Sequence, residues 1–93
     1  MNIPAAHADD LVAQAREADL RQAEYYRGLL AHQRATVARQ LANDEIQLDR
    51  LRNSGDVWKI KRLKRAIRRR ETERNSLDRL ISAIDQRLTM PTR

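Results

Sequence analysis

The sequence predicts an all-α fold: an antiparallel two-helix hairpin of coiled-coil character, assembling into a four-helix-bundle dimer. Three observations predict it. Two glycines and two prolines stand in 93 residues, while 34% of the chain is charged, a balance that belongs to long helices. Apolar residues recur at steps of three and four along both halves. One stretch alone, Arg52-Asn53-Ser54-Gly55-Asp56, concentrates the residues that break helices and make turns.

The composition also limits how such a hairpin is stabilised. With no Phe, one Trp and two Tyr, the core must be built from Leu, Ile, Val and Ala. A chain this short forms one domain at most, here a helical-hairpin domain over 1–93. Drawn out into long helices, it cannot enclose a large core alone. Burial of the apolar stripes by self-association, as a homodimer, or on a partner is therefore expected. No cysteine is present, so disulfides and thiolate chemistry are excluded, as suits a reducing compartment. No apolar run approaches the roughly 20 residues of a membrane span. The opening MNIPAAHADD has neither the basic nor the apolar region of a signal peptide. The expectation is a soluble, cytoplasmic protein.

The first helix is predicted over about 5–52. Asn2, Pro4, Asp9 and Asp10 suit a helix start. One face carries Leu11, Ala15, Ala18, Gln22, Tyr26, Leu29, Gln33, Val37, Leu41, Leu48 and Leu51. Gly28 is the weak point, either tolerated in solvent at about 1 kcal/mol or placed for close approach of another helix beside Tyr25 and Tyr26. The turn follows at 53–55, with Gly55 or Asn53 able to take the left-handed conformation and Ser54 or Asp56 able to cap the next helix. So short a connection makes the helices antiparallel neighbours.

The second helix is predicted over 56–89, ended by Pro91. Its heptads are regular: Ile60, Ile67, Arg74, Ile81 and Leu88 at one position, Leu63, Arg70, Leu77 and Ile84 at the other. Arg70 and Arg74 thus interrupt the apolar seam. Folding about Ser54 would set them near Arg34–Ala38, and would set Asp44 and Glu45 opposite Arg62–Arg65. Snorkelling to the edge, or pairing with Glu71, Glu73 or a second subunit, would satisfy the two arginines. The first helix is the longer. Its overhang, with Leu11, Val12, Ala15 and Ala18, has no partner inside the hairpin. Trp58 is expected to cover the open end with Val57 and Leu51.

Function is carried by charge. Met1–Gly55 holds seven basic and eight acidic residues; Asp56–Arg93 holds twelve and five, a net +7. Nine Lys or Arg fall between Lys59 and Arg74, and no acid interrupts Lys59–Arg70. Lys61, Arg62, Lys64, Arg65, Arg68 and Arg69 form the candidate polyanion-binding face. The pairs Lys61/Arg65, Arg65/Arg69 and Lys64/Arg68 place like charges at i,i+4, each costing about 0.2–0.5 kcal/mol. An anionic partner relieves that cost. Nucleic acid or nucleoprotein, held through phosphates with little base reading, is the first candidate. An acidic protein is the alternative, for a structural or adaptor protein. Few aromatics argue against base stacking, and a membrane surface is disfavoured because no apolar wedge lies beyond the seam.

Other chemistries find no support. His7 and His32 lack a Cys or second His at ligand spacing, and no phosphate loop or nucleophile elbow occurs. No enzyme, metal or cofactor is expected. The layout, two helices with a Trp by the turn, resembles the Trp-x-Gly family of secreted helical hairpins. Here the turn has Trp58-Lys59-Ile60 in place of Trp-x-Gly, and no Tyr-x-x-x-Asp/Glu follows Met90. That family's export role is not carried over.

Overall fold

The computed structural model describes residues 5–89, with side chains from Ala8 onward. Two helices, α1 (Ala5–Leu51) and α2 (Val57–Thr89), form an antiparallel hairpin with overall extents of 79 × 20 × 16 Å. Where they meet the turn, the two helices end and begin within one residue of the predicted positions. Pro4, Met90 and Pro91 lie outside the described residues, as does the side chain of His7.

The turn follows its residues closely. Gly55 takes a φ of +75°, a conformation that costs a residue with a Cβ about 1 kcal/mol or more. Ser54 Oγ donates to the Leu51 carbonyl at 2.6 Å, closing off the end of α1. Asp56 Oδ1 accepts the backbone N–H of Lys59 at 3.1 Å. Asp56 is therefore the N-cap of α2, satisfying one of the orphan donors of its first turn.

A seven-residue repeat governs both sides of the seam. On α2 it is the predicted one. On α1 it runs Ala23, Leu30, Val37, Asp44 and Leu51 at one position and Arg27, Arg34, Leu41 and Leu48 at the other, all buried or half-buried. The best-packed part lies in the middle, where Val37, Leu41, Ile67 and Leu77 are buried. This revises the predicted α1 face. Tyr26 and Leu29 are each 49% exposed, and Gln33 is exposed too. The seam passes through Ala23, Arg27, Leu30 and Arg34 instead, because only a strict seven-residue spacing stays opposite α2 along a supercoiled pair.

Three ion pairs tie the helices together: Arg27–Asp85, Arg34–Asp78 and Arg70–Asp44. They correct the predicted register. Asp44 faces Arg70, not Arg62–Arg65, and Arg70 faces Gln40 and Asp44, not Arg34–Ala38. The stagger differs from that of a simple fold about Ser54 by about one helical turn. It brings three complementary charge pairs together across the seam. Arg70 is satisfied by Asp44 and by the Gln40 carbonyl at 3.3 Å, so neither Glu71 nor Glu73 is its partner. No buried side-chain N or O among the described residues lacks a hydrogen bond.

One further expectation is revised, and one open alternative is decided. Trp58 does not close the hairpin end: it is 76% exposed, and Val57 is exposed beside it. A Cβ at Gly28 would meet nothing within 4 Å, so no helix of the hairpin approaches there. No helix among the described residues is long and apolar enough to cross a membrane.

Candidate anion-binding groove

Lys61, Arg62, Lys64, Arg65, Arg68 and Arg69 are all exposed on α2. At about 100° per residue they cover about 160° of the helix circumference, centred opposite the seam. Among the described residues none of the six lies within ion-pair distance of an acid; the five ion pairs found engage other cations. Their like-charge crowding is thus not relieved within the hairpin.

The structure divides this face. An open groove of about 560 Å³ runs beside α2 near the turn, lined by Lys59, Arg62, Arg65 and Arg69 over an apolar floor of Leu51, Leu63 and Ala66, with Gln47 across it. Ala66 contributes only a methyl group, which leaves the depression open between longer neighbours. Lys64 and Arg68 are outside this lining. Lys61 sits with its Nζ 5.5 Å from the Trp58 ring centroid, a cation–π contact worth about 0.5–1 kcal/mol when exposed.

Lys59 is the groove residue that the sequence reading left out. Its signal was available: Lys59, Arg62, Ala66 and Arg69 follow steps of three, four and three, one stripe of a helix. Lys59 also lies 3.8 Å from its neighbour Asp56, an exposed pair of small energetic weight.

The remaining predicted interface residues separate into two sets. Val37, Leu41, Leu48, Leu51, Ile60, Leu63, Ile67, Leu77, Ile81, Ile84 and Leu88 line the seam, buried or half-buried. Leu11, Ala15, Ala18, Tyr26 and Leu29 are exposed. Every described side chain from Ala8 to Gln22 is exposed, so the overhang is uncovered by α2.

Beyond the groove, a second depression of about 590 Å³ lies at the other end of the hairpin, between Gln22–Gln33 of α1 and Ile84–Arg87 of α2. Among the described residues no cluster of three or more His, Cys, Asp or Glu could hold a metal ion. Two of the ion pairs between the helices shift the titration of their members. The Asp85 carboxyl is lowered chiefly by the hydrogen bond from Arg27, and Arg27 and Arg34 are raised chiefly by their bonds to Asp85 and Asp78. Comparison with known proteins finds no matching family model, no matching curated protein and no matching solved structure.

Proposed function

We propose that the protein is a non-enzymatic helical binding protein that holds a polyanion on the basic face of α2, nucleic acid or nucleoprotein through its phosphates, and works as a homodimer of hairpins in the cytoplasm. The observation that carries this reading is six exposed cations on one helix face with no acid within pairing distance among the described residues. A groove edged by Lys59, Arg62, Arg65 and Arg69 supplies several positive charges within reach of adjacent phosphates. Binding there releases counterions from the nucleic acid. Long arginine forks suit phosphate oxygens better than they suit water. The absence of cysteine fits a reducing setting.

The apolar floor of the groove favours a second reading, an adaptor whose groove takes an acidic protein segment. Leu51, Leu63 and Ala66 would pack against its apolar side chains. Phosphate oxygens make no use of such a floor.

The two separate by experiment. In electrophoretic mobility shift with unrelated DNA and RNA, phosphate binding predicts a complex that weakens steeply between about 50 and 200 mM salt. Arg65→Glu with Arg69→Glu abolishes it. No shift at about 50 mM salt and micromolar protein sinks the nucleic-acid reading. The adaptor reading predicts a stoichiometric protein in pull-downs that survives nuclease and is lost in the same double variant.

A further inference from the structure

One edge of the hairpin carries an ordered sequence of features. At its free end is the α1 overhang. From Ala8 to Glu24 it holds Asp9, Asp10, Glu17, Asp19 and Glu24 against Arg16 and Arg21, a net charge of −3. It exposes Leu11 and Val12, each to 51%. At the turn end is the basic groove over Leu51, Leu63 and Ala66. Next to the arm lies the second depression, where Tyr26, Leu29, Leu30 and Ile84 are joined by the charged Asp19 and Arg87.

These features share one stripe of α1. Ala8, Val12, Ala15, Asp19, Gln22, Tyr26 and Leu29 follow alternating steps of four and three, and the same steps continue through Gln33, Gln40 and Gln47. From Gln22 to Gln47 every position of the stripe is uncharged, in a chain that is 34% charged. A merely solvated face has no reason to lack charge so consistently, whereas a face packed against another helix does.

We propose that two copies of the chain pair antiparallel along this edge, each acidic arm lying over the basic groove of the other. The charge order dictates the direction. Placed side by side in parallel, arm meets arm and groove meets groove. Placed antiparallel about a two-fold axis, negative meets positive at both ends. Setting Ala15 over Gln47 puts the axis midway between them, at the level of Ala31. The uncharged stripe positions Tyr26, Leu29 and Gln33 then pack against their own copy, as an isologous contact requires. Arm and groove centres are about 48 Å apart along α1, so one register satisfies both ends at once. Leu11, Val12 and Ala15 gain the apolar floor, and Asp9 and Asp19 come level with Arg62 and Arg69. The arm and a phosphate chain compete for Arg62 and Arg69, while Lys64 and Arg68 lie outside the groove and stay open to phosphate; the pairing deepens the homodimer reading, and its test contains no nucleic acid.

The test is sedimentation equilibrium of the full chain with charge reversals at exposed positions, helicity being checked by circular dichroism. The wild type is expected to be a dimer at about 50 mM salt that weakens at about 0.5 M. Asp9→Lys with Asp19→Lys, and separately Arg62→Glu with Arg69→Glu, should each raise the dissociation constant roughly tenfold or more. Mixing the two variants should restore a one-to-one heterodimer, since every arm then finds a groove of opposite sign. A wild type that stays monomeric near 100 µM overturns the pairing. So do reversals without effect, or a mixture of the variants that does not associate.

Discussion

Asp44 and Arg70 form the least solvated ion pair of the hairpin, their side chains 12% and 31% exposed. Their heptad positions are otherwise apolar, with Ala23, Leu30, Val37 and Leu51 in line with Asp44, and Leu63, Leu77 and Ile84 in line with Arg70. Removing one partner strands the other in the seam, so Asp44→Ala should cost about 2 kcal/mol, read as a lower urea midpoint at unchanged slope. Replacing both by leucine removes the desolvation as well as the attraction, and should restore or exceed wild-type stability. If the double leucine variant is the less stable of the two, the pair is doing more than filling a polar layer. Asp85 makes a separate prediction at this scale. Its folded carboxyl lies below the ordinary value of 3.8 because Arg27 donates to it. Protonation therefore favours unfolding: the stabilisation is present above 3.8 and fades as the pH falls through the lowered folded value. The melting temperatures of wild type and Arg27→Gln should differ at neutral pH and converge in that acidic window. A difference that persists below it would assign the effect to the packing of the Arg27 stem.

At the scale of elements, the two glycines have opposite roles. Gly55 holds a positive φ in the turn, so Gly55→Ala should cost about 1 kcal/mol. Gly28 is helical with open space where a Cβ would go, so Gly28→Ala should stabilise by up to about 1 kcal/mol. Paired thermal melts of the two variants, moving in opposite directions, check this. The turn at 53–55 and the helix ends beside it were legible in the sequence, since they depend on local chemistry, while the choice of Gly55 over Asn53 and of Asp56 as the cap needed the structure. The stagger of the helices was not. Three of nine α1 seam positions, Arg27, Arg34 and Asp44, are charged, which hid the seven-residue repeat. Tyr26 and Leu29, apolar and nearby, suggested a different stripe. The complementary signs of Arg27/Asp85, Arg34/Asp78 and Asp44/Arg70 decide the register only when both helices are considered together. The basic face was legible because it is contiguous in sequence. The groove that gathers Lys59 with Arg62, Arg65 and Arg69 depends on what α1 places beside α2.

For the whole molecule, an elongated hairpin with four buried apolar side chains has little core to spare, and it leaves Leu11, Val12, Tyr26, Leu29, Val57 and Trp58 among its exposed apolar side chains. Charge then decides what that surface meets. The proposed phosphate binding has a quantitative signature, because each duplex phosphate neutralised lowers the slope of log K against log salt by about 0.9. If Arg65 meets a phosphate, Arg65→Gln should weaken binding to all sequences alike and make the slope shallower by about 0.9. Arg79, exposed on α2 beyond the basic run, serves as the control of equal charge: Arg79→Gln should leave the slope nearly unchanged. Equal effects from both replacements would show that net charge alone attracts the nucleic acid, with no defined face. A complex with an acidic protein behaves differently, since a folded acidic surface lacks the condensed counterions of a duplex. Its salt dependence should be shallower, and the loss in Arg65→Gln should persist at high salt through the contact with Leu51 and Leu63. The slope difference between the arginines therefore tests the chemistry of the partner as well as its position.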